Sequence, residues 1–152
     1  MFPEMLRKDK EVRDGLMDIF GQADWCTFGA NSPQGYPYLF AVNQVVVGDK
    51  LYFHCAQKGF KLDCIAHDPR VCVKAVAREA VVSEDYTTDY LSVVAFGQAR
   101  LVEDLDLRRD ILTKLMERFS PNHPKTESLV SGGVESTAVV EITIEHMTGK
   151  EN

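Results

Sequence analysis

The stretch Tyr52-Phe53-His54-Cys55-Ala56-Gln57-Lys58-Gly59-Phe60-Lys61 decides how the rest of the chain is read. It reads as a strand ending in small polar residues, then a glycine turn, then a helix with lysine on its first turn. Amide N–H groups at a helix start and a nearby ammonium both favour a bound phosphate. A lone helix lysine is more often simply solvated, so the case for Lys61 rests on its neighbours.

Working outward, Gly48-Asp49 separates a β-rich run, Tyr36 to Val47, from the strand Lys50 to Cys55, and signals a hairpin. Upstream, Trp25 to Ala30 reads as a short strand and residues 31–35 as a turn cluster. Val12, Leu16, Ile19 and Phe20 predict a helix over residues 8–20, stopped by Gly21. Downstream, the helix from about Gly59 to His67 ends before Asp68-Pro69. Val71 to Ala77 is a further strand. In Tyr90 to Val102, one parity (Leu91, Val93, Ala95, Gly97, Ala99, Leu101) is apolar or small and belongs in a core. The other parity, which includes Ser92 and Phe96, is left to a partner surface or a ligand.

Asp104 opens a helix with Ile111, Leu112, Leu115, Met116 and Phe119 on one stripe, and Ser120-Pro121 closes it. Residues 120–135 read as a polar loop. A last strand points Ala138, Val140, Ile142 and Ile144 inward and Glu141, Thr143 and Glu145 outward. The order is helix, three strands, helix, two strands, helix, strand. Short turns without β-α-β alternation predict a mainly β, antiparallel barrel with accessory helices, one domain over residues 1–152. No Gly-x-Gly-x-x-Gly or Walker sequence is present.

A net charge of −6 and a pI near 5.2 argue against nucleic-acid binding. No apolar run approaches a membrane span, and Met1 to Asp14 is too charged for a signal peptide, so a cytoplasmic protein is expected. Cys26, Cys55, Cys64 and Cys72 are expected as reduced thiols. Cys64 and His67 lack the paired Cys-x-x-Cys units of a structural zinc site, so no metal is expected.

Gly35-Tyr36-Pro37-Tyr38, Val42-Asn43, Leu51 to Ala56 and Gly59-x-Lys61-x-Asp63 occur here in one order with Tyr90-x-Ser92-Val93, Phe96-Gly97-x-Ala99 and a terminal Met147-Thr148-Gly149-Lys150. This ordered set resembles the pyridoxamine 5′-phosphate oxidase-like FMN-binding split barrels, and within them the nitroimidazole-resistance branch. The resemblance implies a six-stranded Greek-key split β-barrel that forms a homodimer with FMN at the interface; FAD is the alternative flavin. It implies that Leu39, Phe40, Ala41, Val42 and Asn43 lie along the isoalloxazine ring. His54 and Cys55 would sit by the ring and ribityl chain, with His54 as the catalytic candidate. Lys61 would hold the phosphate, and Ser92 would reach the flavin. The implied activity is electron transfer from a donor such as NAD(P)H, through FMN, to a small acceptor such as a nitroaromatic.

Two departures bear on that reading. Many pyridoxamine-phosphate oxidases carry arginine immediately before the phosphate lysine, where this chain has Phe60. Lys58, Arg70, backbone amides or a partner residue would supply the missing cation. Their arginine-bearing C-terminal segment is also not found here, so pyridoxamine phosphate is not the expected substrate. Cys55 reads more readily as a small strand-end residue than as a redox thiol. Tyr36, Tyr38 and Trp25 are expected as core or interface aromatics, and His146 as structural. The rival functions are a flavin-binding protein with little turnover, and a haem-binding barrel with His54 or His146 as axial ligand.

Overall fold

Strands that follow one another through short turns pair antiparallel. The computed structural model describes residues 1–152 and places eight strands in one antiparallel sheet. The strands are β1 (Glu11–Val12), β2 (Cys26–Asn31), β3 (Pro37–Val42), β4 (Val45–Val47), β5 (Lys50–Ala56), β6 (Arg70–Val82), β7 (Thr87–Leu101) and β8 (Thr137–Glu151). Four helices accompany them: α1 (Leu16–Gln22), α2 (Phe60–His67), α3 (Leu105–Phe119) and α4 (Thr126–Gly133).

The sheet order is β3-β2-β6-β7-β8-β5-β4, with β1 added on β8. β3 and β4 are therefore opposite edges, yet only Asn43 and Gln44 separate them in sequence. That link spans roughly 10 Å at most, so the sheet must curl until its edges face each other. The edges stay unpaired, and Phe40 on β3 meets Phe53 on β5 edge to face, 6.2 Å between centroids. The result is a mainly β split barrel.

The break in the long Tyr36–Val47 run has a local cause. The fully buried Gln44 amide donates to the carbonyls of Phe20 and Ala23, both at 2.8 Å. Asn43 donates to Asp24 O at 2.7 Å. From α3, the Arg118 guanidinium donates to Gln44 O and Ala23 O, and to Gly21 O at 2.9 Å. Carbonyls left without partners at the end of α1 are thus satisfied by side chains that also fix the β3–β4 corner.

Several sequence expectations need correction. Val12 does not join Leu16, Ile19 and Phe20 on one helix. It pairs with Gly149 in the sheet, and Gly15, at φ +67°, separates it from α1. Gly21 lies inside α1 and does not stop it. β6 and β7 run beyond the expected strands, pairing from Arg78↔Leu91 to Val82↔Thr87 past a bulge at Ala77. The supposed loop 120–135 contains α4, whose Val130 packs with Ile111, Leu112 and Leu115 of α3 over Tyr52 and Val139.

This helical layer forms a second core outside the barrel, whose interior holds Phe20, Phe28, Phe53, Val93 and Ile142. Glu141 accordingly points away from the barrel interior but is buried, only 2% exposed. It accepts from Tyr52 Oη (2.7 Å), Arg100 (2.8 Å) and Lys50 (3.2 Å). His146 leaves the inward parity of Ile144, because β8 bulges at Glu145 and pairs Phe96 with His146 but Gly97 with Ile144. On the outer face its ring stacks on Phe2, centroids 5.1 Å apart.

Candidate functional site

At the split in the barrel, β3, the end of β5 and the start of α2 enclose a cavity of about 180 Å³. Tyr38, Cys55, Lys58, Gly59, Phe60 and Lys61 line it. β5 ends at Ala56 and α2 begins at Phe60, so Gln57, Lys58 and Gly59 make the turn between them. Gly59 holds φ at +151°, a conformation side-chain-bearing residues rarely adopt. Its carbonyl accepts from the amides of Leu62 (3.0 Å) and Asp63 (3.2 Å). No side chain caps the helix, and the Phe60 and Lys61 amides have no protein acceptor. Those amides, with the ammoniums of Lys58 and Lys61, form a donor-only end to the cavity, and no carboxylate lines it.

Lys61 Nζ lies over the Phe40 ring, 4.8 Å from its centroid. Phe40 in turn stacks on Phe28 at 4.9 Å. Phe60 meets Tyr38 edge to face at 4.8 Å. Burial raises the pKa of the Cys55 thiol, opposed by the nearby Lys61 charge, which leaves the thiol protonated at neutral pH. Of the side chains considered for a second cation, Lys58 lines the cavity. Arg70 does not; its guanidinium is held by Asp68 at 2.7 Å, which also accepts from Asn31 at 3.0 Å.

The expected site residues fall into separate groups. Phe40, Val42, Cys55 and Lys61 gather at the split or in the barrel core behind it. Leu39 and Ala41 point to the outer face of β3, opposite Gly29 and Thr27, and Leu39 is 65% exposed. Asn43 is committed to Asp24 O. As a sheet edge, β3 pairs only with β2 and offers free backbone N–H and C=O groups on its other side.

His54 lies on the opposite face of β5 from Cys55, across from Val139, and is exposed. Partial burial by its neighbours still lowers its pKa, so it is neutral at pH 7. Ser92 sits on β7 between Val76 and Lys150. Three strand spacings, roughly 14 Å, separate it from β3 within the chain.

Two features of the site have no local sequence signature. Tyr38 and Phe60 line the seat, and only Phe60 is adjacent to Lys61 in the chain. Gln44 and Arg118 gave no sequence signal, because their contact joins residues 74 apart.

The donor set fits a phosphate, and the free β3 edge fits a planar heterocycle with its own donors and acceptors. Residues 13–151 match a family model described as pyridoxamine 5′-phosphate oxidase. No curated protein matches the chain significantly. Among solved structures, a candidate 5-nitroimidazole antibiotic resistance protein from Bacteroides thetaiotaomicron aligns at 23% identity and TM-score 0.76, covering 92% of this chain and 85% of that one. A conserved hypothetical protein from Mycobacterium tuberculosis aligns at 19% identity and TM-score 0.81, covering 97% and 90%. An FAD and haem binding protein from Mycobacterium smegmatis aligns at 23% identity and TM-score 0.76, covering 93% and 71%. At these identities the likeness is one of fold.

Proposed function

The chain belongs to the pyridoxamine 5′-phosphate oxidase family, and on that premise we propose that it is a flavin-dependent oxidoreductase acting on a small acceptor such as a nitroaromatic. The observation that carries this is the seat at the split. Two lysines and two unpaired helix amides converge there around Gly59. Lys61 would bind the 5′-phosphate of the FMN unit, which FMN and FAD share. The β3 edge from Leu39 to Asn43 would orient the ring through its free backbone groups. When bound, the flavin supplies the two-electron chemistry between a reduced nicotinamide donor and the acceptor. His54, neutral at pH 7, would offer one ring N–H and one lone pair to an acceptor or to the flavin's polar edge.

A homodimer is part of the proposal. On the outer face, Trp25, Leu39 and Val76 are exposed apolar residues, an arrangement that favours a protein contact. The distance of Ser92 from β3 supports the same idea, since Ser92 of a second copy could complete a site that one protomer leaves open. No helix is long and apolar enough to cross a membrane, and we place the protein in the cytoplasm, where reduced nicotinamides are available.

The test is flavin content after purification. Lys61→Ala should retain far less flavin than the unaltered protein, and equal occupancy would remove this assignment.

Haem binding is the second reading. One observation favours it: His146 Nε2 is buried without a hydrogen-bond partner. Its ring is covered by Phe2, so an axial role would require the N-terminal segment to move aside. An intense Soret band in the purified protein would support haem over flavin.

A further inference from the structure

We propose that the seat selects FAD over FMN, with Phe60 and Tyr38 forming the platform for adenine; the inference rests on the flavin reading above. The terminal phosphate of FMN is a monoester that carries close to two negative charges on one group near neutral pH. Each phosphate of the FAD diphosphate carries only one. A dianion at a single point calls for concentrated positive charge, such as a guanidinium beside an ammonium. This chain has Phe60 immediately before Lys61. Arg70 does not line the cavity and is tied to Asp68. What remains is two single charges, Lys58 and Lys61, on either side of Gly59 and lining one cavity. Two separate single charges match two monoanionic phosphates better than one dianion.

The second observation is aromatic. Phe60 occupies the first position of α2, is 39% exposed and packs edge to face on Tyr38. An open phenyl ring beside a phosphate seat offers a purine a face to stack on. An adenine leaving the second phosphate near Lys58 would meet this pair, whereas FMN ends at its phosphate and leaves the pair unused.

The experiment is isothermal titration of flavin-stripped protein with FMN and with FAD. FAD should bind about tenfold more tightly, the lower range of a single base–aromatic stack. Phe60→Leu replaces the aromatic face by an aliphatic one and should bring the ratio of FAD to FMN affinity down to about one. Phe60→Arg should strengthen FMN binding. FMN binding as tightly as FAD to the unaltered protein would overturn the inference and leave the flavin reading standing. An unchanged preference in Phe60→Leu would overturn the adenine platform. Failure to bind either flavin would remove the flavin reading itself, and this inference with it.

Discussion

The Lys61 ammonium stands over the Phe40 ring at 4.8 Å from its centroid, so α2 is tied to β3 across the line where the sheet does not close. A contact of this kind contributes about 0.5–1 kcal/mol at an exposed site. Its greater effect is on position, because it holds the cation at the mouth of the cavity. Phe40 is itself fixed by Phe28 and Phe53 of the barrel core. The proposed phosphate ligand is thus placed by the core and not by a mobile loop.

Removing that cation should weaken phosphate-bearing flavins selectively. Lys61→Ala is expected to lower FMN affinity at least about tenfold, in line with about 1.5–3 kcal/mol for a hydrogen bond to a charged group. Riboflavin, which lacks the phosphate, should bind the variant and the parent equally. Fluorescence titration with both ligands checks this, and an equal loss for riboflavin would indicate a general structural effect.

The Arg118–Gln44 clamp predicts a stability effect far from the cavity. Arg118→Met leaves the carbonyls of Gly21, Ala23 and Gln44 without this donor. The cost should be about 1–3 kcal/mol, lowering Tm by about 3–10 °C. Thermal unfolding by circular dichroism measures it. An unchanged Tm would show that the clamp is not needed to hold the corner.

Glu141 sets a pH dependence. Burial opposes its ionisation, but hydrogen bonds from Tyr52, Arg100 and Lys50 together hold its pKa below the ordinary value. A lowered carboxyl pKa contributes stability that is present above the unfolded pKa and lost as pH falls through the folded one. Glu141→Gln should therefore be less stable at pH 7 and should lose less stability than the parent on acidification below about pH 4.5. Because Arg100 and Lys50 are partly solvent-exposed, the difference should be about 1–2 kcal/mol. Denaturant unfolding at pH 7 and pH 3.5 tests the sign.

Much of the fold was legible because it lay in local patterns. The alternation of Leu91 to Ala99 placed β7 correctly, and Gly48-Asp49 located the β4–β5 hairpin. What was hidden depended on distant partners. Val12 fits a helical stripe as well as it fits β1, and only Gly149 on β8 decides between them. Residues 78–89 show no period because they form an arm beyond the core, where neither face is consistently buried. α4 is polar apart from the few side chains under α3, so composition alone reads it as a loop. Lys61 and Cys55 could be brought together from sequence because one short turn joins them. Lys61 and Tyr38 could not, because the curl of the whole sheet brings them to one cavity.

One small residue in that alternation has a steric role. A Cβ at Gly97 would lie 2.1 Å from the Thr143 carbonyl oxygen and 3.1 Å from Ile144 Cα, beside the β8 bulge. Both neighbours are backbone and cannot turn aside. Gly97→Ala should cost more than about 2 kcal/mol or leave the protein insoluble. A variant with the parent's unfolding midpoint would contradict the close β7–β8 approach.

Flavin binding is tested first by the visible absorption spectrum of freshly purified protein, with the released cofactor identified by mass spectrometry. A flavin-binding protein will be yellow, show flavin bands and release FAD or FMN. A colourless protein that also fails to take up either flavin when it is added would contradict flavin binding.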